Sequence, residues 1–218
     1  WQTYDYYFEP TAAYFAIKKA SEPLHIQWNP ATDEVEVVNY SAGTHKGLTA
    51  KVQVLNMDAS VAWEKEATVD SNEDTTDKCI KLEFPENLSK VHFIKMTLTE
   101  DGKVVSDNFY HRSLEENNYQ DLCQLAKVAL QSATTVDKNA DGTWSAVSVI
   151  ENKTSTPALM IRLNVVDGKD DQQILPVFYS DNYFSLLPGE KKEVRMSWRD
   201  EDTRGNEGKV LITGYNVE

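Results

Sequence analysis

Ile94-Lys95-Met96-Thr97-Leu98-Thr99-Glu100-Asp101-Gly102-Lys103-Val104-Val105 alternates apolar and polar side chains, then turns on Asp-Gly into a second apolar run. A period of two belongs to a strand with one buried face, and Asp-Gly supplies the positive φ angles that a two-residue hairpin needs. The stretch therefore predicts a β-hairpin. The same pattern recurs on both sides of it. Val35 and Val37 share one face of a short strand ending near Asn39, Val52 and Val54 alternate with Lys51 and Gln53, and Ile80, Leu82 and Phe84 alternate with Lys81 and Glu83. Between them, Asp70 to Lys78 is polar throughout and is expected to be a solvated loop.

A second series follows a polar stretch between Arg112 and Leu125, which reads as a linker with at most one helical turn. It opens at Val147 and Val149 and continues through Leu159, Ile161, Leu163 and Val165 to an Asp167-Gly168 turn. Leu175 to Tyr179 and Tyr183 to Leu187 flank a turn at Ser180-Asp181-Asn182. Pro188-Gly189 suits a type II turn, and Val194, Met196 and Trp198 form one inward face. In both halves a strand ends in Asn (Asn39, Asn152) before a longer alternating strand, a faint internal likeness.

The first 28 residues differ. They hold eight aromatic side chains, and Ala13, Tyr14, Ile17, Ala20 and Leu24 recur at helical spacing after Pro10, with Pro23 expected to stop the helix. The expected fold is all-β: two tandem immunoglobulin-like sandwiches preceded by one helix. The expected divisions are 1–23, 24–113 and 114–218.

Bulk properties narrow the function. With 40% hydrophobic and 26% charged residues the chain is too apolar for disorder. No apolar run nears the ~20 residues that cross a bilayer. A net charge of −13 speaks against nucleic acid or an anionic membrane as partner. Cys79 and Cys123 are expected in different domains and as thiols. Asp137-Lys138-Asn139-Ala140-Asp141-Gly142 matches half of a calcium loop, but its twelfth position is Ser148, not a carboxylate, so a hairpin loop is the better expectation. The four histidines lack zinc spacing. No nucleophile elbow, phosphate loop or nucleotide fingerprint occurs, and no cofactor or metal site is expected. Trp63, beside Glu64, Lys65 and Glu66, is the best candidate for a sugar-stacking side chain; Trp28, Trp144 and Trp198 lie in strand patterns and are expected in the core.

Tyr4-Asp5-Tyr6-Tyr7, Pro10, Ala13-Tyr14-Phe15, Lys18-Lys19-Ala20 and Glu22-Pro23-Leu24-His25 resemble the end of the catalytic barrel in glycoside hydrolase family 2, in its exo-β-D-glucosaminidase and β-mannosidase-like branch. Asn108-Phe109-Tyr110, Ser180 to Glu190 and Gly214-Tyr215-Asn216 resemble the sandwiches that follow it. Thr11-Ala12 departs from the glycines often found there. The resemblance implies that the helix is the last of a TIM barrel lying upstream, that both catalytic glutamates of a retaining glycosidase lie there, and that none is present here. It further implies that Trp1, Tyr4 and Asp5 support the wall of the active site. The chain would serve as an accessory region of an enzyme acting on terminal β-linked sugars, exported to a bacterial periplasm by an upstream signal peptide. Its partners would be the barrel and, as a carbohydrate-binding module, polysaccharide substrate.

Overall fold

The computed structural model describes residues 2–218. The fold is all-β with one helix, α1 (Ala12–Ala20), and divides into two compact units. One unit is Lys18–Gln124; the other joins the residues up to Ile17 with Leu125–Glu218.

The Lys18–Gln124 unit is a two-sheet sandwich. One sheet orders β1 (Leu24–Asn29), β2 (Glu34–Asn39) and β5 (Thr75–Lys81) as β1-β2-β5. The other orders β3 (His45–Asn56), β4 (Val61–Ser71), β6 (Val91–Glu100) and β7 (Lys103–Ser113) as β4-β3-β6-β7. Every neighbouring pair is antiparallel, and Val35, Val37, Val52, Val54, Ile94, Met96 and Leu98 meet in one core. Asp101 (φ 49°) and Gly102 (φ 76°) make the β6–β7 turn, as the two positive angles of such a turn require.

The second sandwich contains β8 (Gln131–Lys138), β9 (Thr143–Glu151), β10 (Ala158–Asp167), β11 (Phe178–Tyr179), β12 (Phe184–Leu186), β13 (Lys191–Arg199) and β14 (Gly208–Thr213). Its sheets are β11-β13-β9-β8 and β12-β10-β14. Ile161, Leu163, Val165, Val194, Met196 and Trp198 fill its core. Trp144 stacks on Trp198 at 6.4 Å and 4°, and donates its indole N–H to Asp200 at 2.7 Å. Gly208 leaves room for this pair, since a Cβ there would sit 2.7 Å from the Trp198 ring. Gly189 (φ 83°) closes the Leu187–Glu190 turn, with Glu190 N–H donating to Leu187 O at 3.0 Å.

Several expectations are corrected. Asp70 to Lys78 is no loop: Asp70 and Ser71 end β4, Thr75 starts β5, and these strands lie in opposite sheets. Most of its side chains are exposed, as expected, while Asp77 accepts from Ser71 at 2.7 Å and Thr75 at 2.6 Å where the chain crosses between sheets. Ala146, Ser148 and Ile150 point inward from β9, leaving Val149 exposed. The two segments flanking Ser180–Asn182 are strands only at Phe178–Tyr179 and Phe184–Leu186, and these join different sheets. Trp28 and Trp144 are half-buried at core edges, while Trp198 is buried. Cys79 and Cys123 fall in the same unit and are not joined in a disulfide. On α1, Ala13, Tyr14, Ile17 and Ala20 are all exposed, and the buried residue is Phe15.

Asp137 and Lys138 end β8, and residues 139–142 form the β8–β9 hairpin loop. Asn139 N–H donates to Thr143 O at 2.8 Å, and the Asp141 carboxylate is taken by the Thr143 N–H and hydroxyl.

Candidate docking surface

Residues 3–11 form a strap that is shaped by its own hydrogen bonds. Asp5 Oδ1 accepts from the N–H groups of Tyr7 (2.8 Å) and Glu9 (3.0 Å), and Phe8 N–H donates to Asp5 O at 3.1 Å. Thr11 donates both its N–H and its hydroxyl to Thr3 O, each at 2.9 Å. A carboxylate that takes two local N–H groups fixes a tight turn, and here it turns the aromatic run outward. Tyr6 is 87% exposed, Tyr7 67% and Phe8 61%. With Tyr4, Tyr14 and Ile17, six large apolar side chains face solvent within fourteen residues.

The strap is held to the Leu125–Glu218 sandwich at two points. Glu9 pairs with Arg162, which projects outward from β10. Phe15, 5% exposed, packs on Tyr183 (5.9 Å) and Tyr179 (6.4 Å). Burial pushes the Tyr179 phenol up to about 12, so it stays protonated; its oxygen accepts from Val165 N–H at 3.2 Å. Met160 and Leu211 are exposed on the same β12-β10-β14 sheet.

In the Lys18–Gln124 unit the end of α1 meets a polar network. Lys19 Nζ lies 2.8 Å from Glu22 and 2.5 Å from Asp107. The other Glu22 oxygen accepts from Ser106 Oγ at 2.7 Å and faces the buried His25 Nδ1 at 3.3 Å. Burial opposes ionisation of Glu22, but the bonds from His25, Lys19 and Ser106 outweigh it and bring the carboxyl down to about 2.

Trp63 lies on the edge strand β4, paired with Val54, half-buried against the core of its sandwich. Tyr4 and Asp5 lie on the strap in the other unit; Trp1 falls outside the described residues. Among the described residues no cluster of His, Cys, Asp or Glu could hold a metal ion, and no helix is long and apolar enough to cross a membrane. Glu9 and Arg162 went unnoticed in the sequence, and Phe15 entered only through the family resemblance. Glu9 and Arg162 are 153 residues apart, and no local pattern links them.

Residues 108–217 match the family described as the exo-β-D-glucosaminidase Ig-fold domain, and residues 33–113 match the mannosidase Ig/CBM-like domain. The exo-β-D-glucosaminidase of Streptomyces avermitilis is 32% identical over the whole of this chain, which spans 26% of that protein. The crystal structure of the exo-chitosanase of Amycolatopsis orientalis superposes with a TM-score of 0.91 at 28% identity, again over all of this chain and 28% of the other. The β-D-mannosidase of Dictyoglomus thermophilum shares the fold at 16% identity, with a TM-score of 0.68. The chain thus spans about a quarter of the length of the relatives it matches.

Proposed function

The chain belongs to the exo-β-D-glucosaminidase Ig-fold domain family, and from that membership we propose that it is the non-catalytic sandwich region of a longer family 2 glycosidase. The catalytic module would precede it in the same polypeptide and cleave terminal β-linked sugars, glucosamine foremost, with retention. Two carboxylates roughly 5 Å apart do that chemistry, and they belong to the module, not to the sandwiches. The sandwiches stabilise it and shape the approach of substrate, with Tyr4 and Asp5 backing the wall of its site. Because polymeric substrates lie outside cells, we place the enzyme in an exported compartment such as a periplasm.

One observation carries this reading: the strap and α1 together present six large apolar side chains to solvent. A patch of that kind calls for cover. The test compares the full-length enzyme with a form lacking residues 116–218. The expected result is a lower unfolding temperature with turnover per folded molecule retained; unchanged unfolding would reject the reading.

A second reading, a carbohydrate-binding module, is favoured by the likeness of residues 33–113 to a CBM-like domain. Affinity electrophoresis on chitosan and mannan tests it. Retardation abolished by Trp63→Ala supports binding through that side chain; free migration rejects it.

A further inference from the structure

We infer that the C-terminal sandwich, not the one next in sequence, couples to the catalytic module, and that residues 18–124 are an insertion between the two parts of one docking body. The inference rests on the proposed accessory role. The strap folds as one unit with Leu125–Glu218 although more than a hundred residues separate them. Glu9 is gripped by Arg162, and Phe15 is enclosed beside Tyr179 and Tyr183. Asp5 fixes the turn that leads into the Glu9 anchor, and Tyr6 and Tyr7 within that turn are exposed.

The occupant of the exposed face is the catalytic module of the same polypeptide. The relatives are about four times as long as this chain, and the strap is the first part of it that any preceding module reaches. The face is aromatic and apolar, and Met160 and Leu211 are exposed on the sheet that holds Arg162. Such chemistry suits a protein surface that is buried for good. A force or thermal fluctuation in the module would then pass to β10 through Arg162.

Three full-length variants test the coupling: Glu9→Arg, Arg162→Glu, and the two together. Two properties are read: hydrogen exchange of residues 5–11, and the temperature at which glycosidase activity is lost. Each single variant is expected to speed strap exchange roughly tenfold and to lower the inactivation temperature by a few degrees; the swapped pair is expected to restore both. If the strap loosens while inactivation is unmoved, the coupling is overturned and the accessory role stands. A full-length chain without glycosidase activity overturns the accessory role, and strap exchange still reports the clamp. A dimer of the full-length chain dissolved by Tyr6→Ser, or retardation on chitosan lost in that variant, assigns the face to a second copy or to glycan and overturns the proposed occupant.

Discussion

Asn39 and Asn152, each fully buried, make the same four hydrogen bonds in two different sandwiches. In each, Oδ1 accepts from the N–H and the hydroxyl of the residue two places on: Ser41 at 2.9 and 2.6 Å, Thr154 at 3.1 and 2.7 Å. In each, Nδ2 donates to a carbonyl four places on (Gly43, Thr156) and to the carbonyl ending or closely following a later strand (Ser71, Leu186). Both asparagines stand where the chain leaves one sheet for the other. The two sandwiches are built on one corner.

Asn39→Ala and Asn152→Ala each strand buried backbone groups. Each should cost about 2–4 kcal/mol, confined to its own sandwich. Denaturant unfolding followed by hydrogen exchange in each sandwich checks this; equal loosening of both by either variant contradicts it.

Glu22 gives the Lys18–Gln124 unit an acid limit. Its folded carboxyl titrates at about 2, below the unfolded value near 4.5. Its stabilisation is therefore complete above the unfolded value and lost as pH falls from ~5 to ~2. The amount is on the order of 2 kcal/mol, allowing for a side chain that is 27% exposed. Glu22→Gln should flatten the pH dependence of urea midpoints across that window.

His92 acts in a separate window. Burial holds its ring below the usual histidine value, aided by the nearby Arg112 charge, while Nδ1 lies 3.2 Å from Ser89 O. His111 is lowered by burial as well. A depressed histidine must fold neutral, so its contribution is whole above pH ~6.5 and falls below it. His92→Phe should lessen the loss of stability as pH falls below ~6.5. Melting temperatures across that range decide it.

Gly208→Ala places a methyl group against the Trp198 ring. Overpacking at a rigid indole stacked on Trp144 should cost about 1–3 kcal/mol and alter near-ultraviolet dichroism; an unchanged spectrum and melting point would show that the pair can yield.

Much of the fold was legible where side chains alternate strictly. β6, with Ile94, Met96 and Leu98, and β10, with Ile161, Leu163 and Val165, are buried on the predicted faces. Turn chemistry was legible at Asp101-Gly102 and Pro188-Gly189 because positive φ restricts residue choice. Residues 70–78 misled because their polar groups satisfy one another across a sheet crossing that composition alone does not reveal. The strap was half legible. Its aromatic density announced an interface, yet the helical stripe at Ala13, Tyr14 and Ile17 marks the uncovered face, and Phe15 packs on the chain itself. Spacing records that a face is apolar, not which body covers it. The Glu9–Arg162 clamp was invisible, since a pairing over 153 residues exists only once the strap has docked on the folded Leu125–Glu218 sandwich.

The buried corners also bear on chemical modification. Because each needs a hydroxyl two residues after its asparagine, Asn39-Tyr40-Ser41 and Asn152-Lys153-Thr154 both spell an acceptor sequence for N-linked glycans. In the folded chain both amide nitrogens are fully engaged and sealed from solvent. Asn87-Leu88-Ser89 carries the same spelling with its asparagine exposed. Passed through a eukaryotic secretory pathway, this chain would acquire a sugar at Asn87 harmlessly, whereas one attached to Asn39 or Asn152 before folding would block the corner and hold that sandwich open.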